Sequence, residues 1–144
     1  MTTPVKPHIL VVDDEPDFAA YLRTVLEEEG FLVTTAFDGD EALRHVRDLP
    51  PDLVTLDISM PRKTGVLFYR QMKSEERLRS IPVIVITGLR RTNAYAAPFI
   101  DRFFKFNDQT LPEPEAFFDK PVEKATLLSA VKERLGATAV GLGT

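Results

Sequence analysis

The chain has 144 residues, of which 44% are hydrophobic and 28% are charged, and its formal net charge is −4. This balance excludes a wholly disordered chain and a collagen-like one, and the length is typical of one compact domain. The negative net charge argues against nucleic-acid binding through overall charge. Because there is no cysteine, disulfides, thiolate metal sites and cysteine nucleophiles are excluded.

No apolar run approaches the roughly 20 residues that cross a bilayer, and the first residues lack the apolar segment of a secretory signal. We therefore expect no membrane contact and a cytoplasmic location. The two histidines, His8 and His45, cannot form a multi-histidine zinc site by themselves. We assign residues 8–136 to one domain, with terminal tails at 1–7 and 137–144.

Short apolar runs rich in β-branched residues predict β-strands at 8–12, 31–36, 53–56 and 82–87. The first, third and fourth runs are apolar nearly throughout, which is typical of parallel strands covered on both faces. A weaker run at 116–118 predicts a fifth strand.

Helical patterns alternate with these strands. Four apolar residues share the spacing of one helix face: Phe18, Leu22, Val25 and Leu26. Gly30 is expected to end that helix, and further helices are predicted at 41–48, 66–78 and 123–135. The alternation predicts an α/β fold with a doubly wound, five-stranded parallel sheet and helices on both faces.

The segment at 89–115, between the fourth and fifth strands, is longer than a crossover connection needs. Tyr95, Phe99 and Phe103 recur every four residues, which predicts a helix with an aromatic face. The polar stretch at 107–115 contains two prolines and is predicted to be a loop.

Ligands of an open parallel sheet bind beyond the carboxyl ends of its strands. The residues at those ends are Asp13, Asp14 and Glu15 after the first strand, Asp57 after the third, Thr87 at the end of the fourth and Lys120 after the fifth. Clustered carboxylates without histidine or cysteine select a hard cation, of which Mg²⁺ is the usual cellular choice. A carboxylate beside Mg²⁺ can attack a phosphoryl group and form an aspartyl phosphate. A hydroxyl and a lysine can then hold the phosphoryl oxygens.

These residues give the chain a family resemblance. In chain order, they are Asp13-Asp14, Asp57 within the run 56–61, Gly65, Thr87 and Lys120-Pro121. Together they resemble the receiver domain of two-component response regulators, which has a CheY-like, flavodoxin-like fold. The resemblance covers about residues 8–135, and five motifs in the family's order make it specific.

The resemblance implies a phosphoacceptor and a metal site. Asp57 would accept a phosphoryl group from a phosphohistidine on a sensor histidine kinase or phosphotransfer protein. Asp13 and Asp14 would hold Mg²⁺ together with Asp57 and the backbone carbonyl of Ser59. The two acidic residues after the first strand could instead cap the first helix. For Glu15, we expect a surface or capping role.

The resemblance also implies a switch. Thr87 would hydrogen-bond a phosphoryl oxygen, and Lys120, in a cis peptide with Pro121, would pair with the phosphate. Phe117 would then follow Thr87 inward, although it can equally be a permanent core residue. Affinity for an output partner would change at the 89–135 face.

Such a chain would be a signalling switch and not an enzyme, because it would catalyse only its own phosphorylation and dephosphorylation. One alternative is a Mg²⁺-dependent aspartyl-phosphate phosphatase or phosphotransferase. Haloacid-dehalogenase-like enzymes need a second carboxylate two positions after the nucleophile, where this chain has Ser59. Another alternative is a non-phosphorylated pseudo-receiver, which the intact acidic pair, Asp57, Thr87 and Lys120 argue against.

Overall fold

A computed structural model describes residues 6–60, 64–88, 105–106 and 109–135 of the chain. In these ranges, the elements are β1 (His8–Val12), α1 (Pro16–Glu28), β2 (Leu32–Ala36), α2 (Gly39–Asp48), β3 (Leu53–Leu56), α3 (Thr64–Ser74), β4 (Val83–Thr87), β5 (Lys105–Phe106), β6 (Gln109–Thr110), β7 (Ala116–Asp119) and α4 (Lys124–Leu135). The predicted tails, apart from residues 6–7, and the predicted aromatic helix lie outside the described residues.

Five strands form one parallel sheet in the order β2-β1-β3-β4-β7. The chain leaves β1 toward β2 on one side and then returns to β3 on the other. The connections that follow β1 and β3 therefore run to opposite sides of the sheet. This divergence leaves a crevice at the carboxyl ends of these two strands. The predicted doubly wound α/β fold is confirmed.

The core has two layers because successive strand residues point to opposite faces of the sheet. Ile9 and Val11 of β1 pack with α1 and α4, whereas Leu10 and Val12 pack with α2 and α3. The central strands β1, β3 and β4 are covered on both faces, which explains why their sequences are apolar nearly throughout. The edge strand β2 is only partly buried, and Leu32 is 52% exposed.

Local signals set the ends of α1 and α2. Pro16 occupies the first turn of α1, where its missing N–H costs nothing. Gly30 follows the end of that helix with φ 92°, a left-handed conformation that favours glycine, as predicted. The α2 helix begins two residues before its predicted start, because the Asp38 carboxylate accepts a hydrogen bond from the Glu41 backbone N–H at 2.7 Å.

The end of α3 differs from the prediction. The helix ends at Ser74 and not at Leu78, although Leu78 is fully buried from the turn that follows. Lys73 explains this geometry, because its buried Nζ donates to the carbonyls of Arg79 at 3.0 Å and Ile81 at 2.6 Å. The chain thus turns back around Lys73. The prediction extended the helix to Leu78 because the spacing of apolar residues is the same for a buried turn as for a further helical turn.

The predicted loop at 107–115 is wrong at residues 109–110. The β6 strand pairs there with β5 in a short antiparallel ladder. The following residues are anchored on α3, because the Tyr69 hydroxyl donates a hydrogen bond to the Pro112 carbonyl. Leu111 also packs against the core layer beside α2 and α3.

We expect Leu26→Ala to destabilise the fold, because Leu26 is fully buried between α1 and the sheet. The loss in unfolding free energy should be about 3 kcal/mol, as for other large-to-small core substitutions. Urea titration measures it. The matched control is Leu49→Ala, at a leucine that is 67% exposed; a similar loss there would contradict the assigned core.

Candidate functional site

The predicted site residues lie at one edge of the sheet, where four parallel strands end. Asp13 follows β1, Asp57 follows β3, Thr87 ends β4 and Lys120 follows β7. Backbone hydrogen bonds extend the ladders past the strand ends, from Asp57 N–H to the Val12 carbonyl at 3.0 Å and from Lys120 N–H to the Thr87 carbonyl at 2.9 Å. These bonds fix the side chains relative to one another.

Asp13, Asp14 and Asp57 form an acidic cluster in which one carboxylate oxygen from each lies within 4.8 Å of the others. Asp13 is 1% exposed and Asp57 2%. Burial raises the pKa of Asp13, and the Asp57 charge adds to the rise, although Lys120 and the Glu15 N–H oppose it. A set of carboxylate oxygens with this mutual repulsion fits a hard divalent cation such as Mg²⁺.

Hydrogen bonds hold the Asp57 carboxylate in one orientation. Its Oδ1 accepts from Ser59 N–H at 2.9 Å, from Ser59 Oγ at 2.6 Å and from Thr87 Oγ1 at 2.9 Å. Its Oδ2 accepts from Lys120 Nζ at 3.2 Å. Hydrogen bonds to a carboxylate are charge-assisted and are stronger than those between neutral groups, so they hold both Asp57 oxygens firmly in place. The ligand role of the Ser59 carbonyl stays a prediction.

Lys120 supplies the positive charge of the site. Its Nζ lies 2.8 Å from Asp13 Oδ2 and 2.7 Å from Glu15 Oε1, in addition to its contact with Asp57. Burial alone lowers the pKa of Lys120, but hydrogen bonds to Asp13 and Glu15 and the Asp57 charge raise it well above its usual range. The group is therefore an ammonium ion at neutral pH, and the Lys120–Pro121 peptide is cis, as the resemblance implied.

Glu15 has a contact that the sequence did not reveal. It is the N-cap residue of α1, but its side chain makes no capping hydrogen bond. The capping hypothesis is therefore wrong, whereas the expected surface position is correct, since the Glu15 side chain is 62% exposed. Its partner Lys120 lies 105 positions away along the chain, so no local pattern could indicate the pair. Asp13 Oδ1 accepts a hydrogen bond from the Glu15 N–H at 2.9 Å. This bond lies in the turn before α1, so it does not cap the helix.

Gly65 and Phe117 are the remaining residues of the predicted motif and switch. Gly65 lies against the loop that carries Asp57, because a Cβ at this position would collide with the Asp57 carbonyl oxygen. Phe117 is half-buried and packs against the core layer beside α2 and α3. Its role as a moving switch stays a prediction.

A family model described as the response regulator receiver domain matches residues 9–103. This chain belongs to that family. Receiver domains are parts of two-component signal transduction. In the part of the chain that the structure describes, no helix is long and apolar enough to span a membrane.

Curated relatives include Protein Rrf1 of Nitratidesulfovibrio vulgaris, which is 29% identical over 92% of this chain and 86% of that protein. The DNA-binding response regulator MtrA of Mycolicibacterium smegmatis is 39% identical over 58% of this chain, but the match covers only 36% of MtrA. Several relatives are thus longer proteins that carry further segments.

A solved structure, the signal receiver domain of a signal transduction histidine kinase from Syntrophus aciditrophicus, superposes with a TM-score of 0.76. It is 31% identical, and the match covers 90% of this chain and 89% of that one. The similarity in fold thus extends over nearly the whole length of both chains.

We expect Gly65→Ala to destabilise the protein by about 1–3 kcal/mol, the usual cost of overpacking, because the new methyl group would displace the Asp57 backbone. Urea unfolding measures this cost. The matched control is Gly88→Ala, since a Cβ at Gly88 has nothing within 4 Å. Equal stability of both variants would contradict the close approach at Gly65.

We expect Mg²⁺ to stabilise the protein against urea, by about 2.7 kcal/mol at a hundredfold excess over its dissociation constant. Protons compete with the cation for Asp13, and its raised pKa makes this competition begin at a higher pH than for an ordinary carboxyl. The stabilisation should therefore shrink as the pH falls through that pKa. Asp13→Asn should remove most of it. Asp48→Asn, at the exposed end of α2, should retain it, and an equal loss in both variants would contradict the assigned site.

Proposed function

We propose that this receiver domain is a phosphorylation-controlled switch in which Asp57 accepts a phosphoryl group from the phosphohistidine of a sensor histidine kinase or phosphotransfer protein. One observation carries the proposal: the buried Asp57 carboxylate lies between an acidic pair, which can hold Mg²⁺, and two donors, Thr87 and Lys120.

We also propose a cytoplasmic location, where ATP-dependent kinases act.

In the transfer step, an Asp57 oxygen forms a bond to phosphorus while the phosphorus–nitrogen bond of the donor breaks. The electron pair of that bond stays on the imidazole, which leaves the site. Mg²⁺ held by the acidic cluster would neutralise charge on the phosphoryl oxygens. Thr87 and Lys120, which now donate to Asp57, then donate to phosphoryl oxygens instead.

Charge drives the proposed switch. Phosphorylation adds about −1.5 to −2 charges and three acceptor oxygens at Asp57. Thr87 is fully buried and belongs to β4, which pairs with β7 through Val85 and Phe117. A shift of Thr87 toward the phosphate leaves room for Phe117 to follow. The 89–135 face then changes its affinity for an output partner, with a coupling of about 1–3 kcal/mol.

The proposal is for a switch and not a turnover enzyme. Ser59 occupies the position where an aspartyl-phosphate phosphatase needs its second carboxylate, and its hydroxyl is already bonded to Asp57. The relative MtrA is named a DNA-binding response regulator, and the match covers 36% of it. For this chain, whose net charge is −4, we propose a protein partner and no nucleic-acid contact.

Incubation with acetyl phosphate and Mg²⁺ should add one phosphoryl group, which intact-mass spectrometry detects. Asp57→Asn should abolish the addition, because an amide oxygen is a poor nucleophile. Asp119→Asn is the matched control, since Asp119 is an exposed carboxylate at the end of β7, beside Thr87. Labelling of the Asp57 variant at the parent level would refute the assignment.

A further inference from the structure

The Lys120 ammonium group is fully engaged in the resting structure. Within the described residues, it contacts three carboxylates, at 2.7 Å to Glu15 Oε1, 2.8 Å to Asp13 Oδ2 and 3.2 Å to Asp57 Oδ2. A lysine ammonium has three N–H donors, so these contacts can use all of them. The shortest contact is to Glu15, and the longest is to the proposed phosphoacceptor.

Glu15 and Phe18 hold Lys120 from the same element. Glu15 is the N-cap residue of α1, and Phe18 lies three residues later, so both lie on one face of the first turn. Nζ of Lys120 is 4.6 Å from the centre of the Phe18 ring, a distance typical of cation–π attraction. The start of α1 thus offers the ammonium both a carboxylate and an aromatic face.

The Glu15 carboxylate is exposed, as the sequence predicts, but it has neither a capping role nor a place in the acidic cluster. It makes no capping hydrogen bond, and it is not among the carboxylates that converge on the metal position. Among the described residues, its ion pair is with Lys120. This contact is therefore the feature of Glu15 that needs an explanation.

We propose that Glu15 is a positioning residue that holds the Lys120 ammonium at the start of α1 and competes for it with the phosphoryl group on Asp57. The inference rests on the proposed function, because it concerns the same transfer step. To donate to a phosphoryl oxygen, Lys120 must redirect the N–H that it now gives to Asp57 at 3.2 Å, while the shorter contact to Glu15 at 2.7 Å holds the ammonium toward α1. Asp13 would have the cation as an alternative partner, whereas Glu15 keeps its attraction for the ammonium throughout.

The competition should slow phosphorylation, so removing the Glu15 charge should speed it. Glu15→Gln keeps the side-chain length without the charge, and Glu15→Ala removes both. Because Glu15 is 62% exposed, solvent screens the pair, and we expect labelling by acetyl phosphate at saturating Mg²⁺ to become about two- to fivefold faster. Glu15→Asp is avoided, since aspartate at an N-cap would add a capping bond.

Asp17→Asn is the matched control. Asp17 is an exposed carboxylate in the same first turn, and it makes no ion pair with a described residue. The control should label at the parent rate. Equal acceleration by Asp17→Asn would show a general charge effect and overturn the proposal, as would a Glu15→Gln rate at or below that of the parent.

A second measurement separates the ion pair from the reaction. Urea unfolding of the parent, Glu15→Gln, Lys120→Met and the double variant, without metal, should give a coupling of about two- to fivefold in the unfolding constant. Independent effects of the two substitutions would overturn the proposal. Failure of the parent to label at all would instead refute the proposed function, and the unfolding cycle would still report whether Glu15 holds Lys120.

Discussion

Repulsion among clustered carboxylates, two of them buried, is the constraint on which the rest of this site depends. Asp13, Asp14 and Asp57 meet at the crevice between β1 and β3, and one ammonium group partly offsets their charge. Such an arrangement is unfavourable without counter-charge. The repulsion makes the site receptive to a divalent cation, and through that cation to an anionic phosphoryl group.

Much of the fold was predictable because each central strand is buried on both faces. A run such as 83–87 has no polar side to place in water, so it indicates a parallel sheet with helices on both faces. The site residues were predictable for a related reason. A polar residue that ends such a run, as Thr87 does, or directly follows it, as Asp13 and Asp57 do, must lie at the carboxyl edge of the sheet.

The differences arise where distant residues decide local structure. The end of α3 depends on Lys73, whose ammonium satisfies two carbonyls beyond the helix. The Glu15–Lys120 pair joins residues 105 positions apart, and β5 and β6 have only two residues each. Periodicity reports which face of an element is buried, but it does not report long-range ion pairs or ladders this short.

Both ends of α3 are held by the backbone of other elements. At its start, Gly65 lies directly against the Asp57 carbonyl. Near its end, Lys73 is bonded to the turn that leads into β4, and at its middle Tyr69 is bonded to the chain that leads into β7. A displacement of the Asp57 loop that shifted α3 would therefore also reach the turn before β4 and the residues that lead into β7.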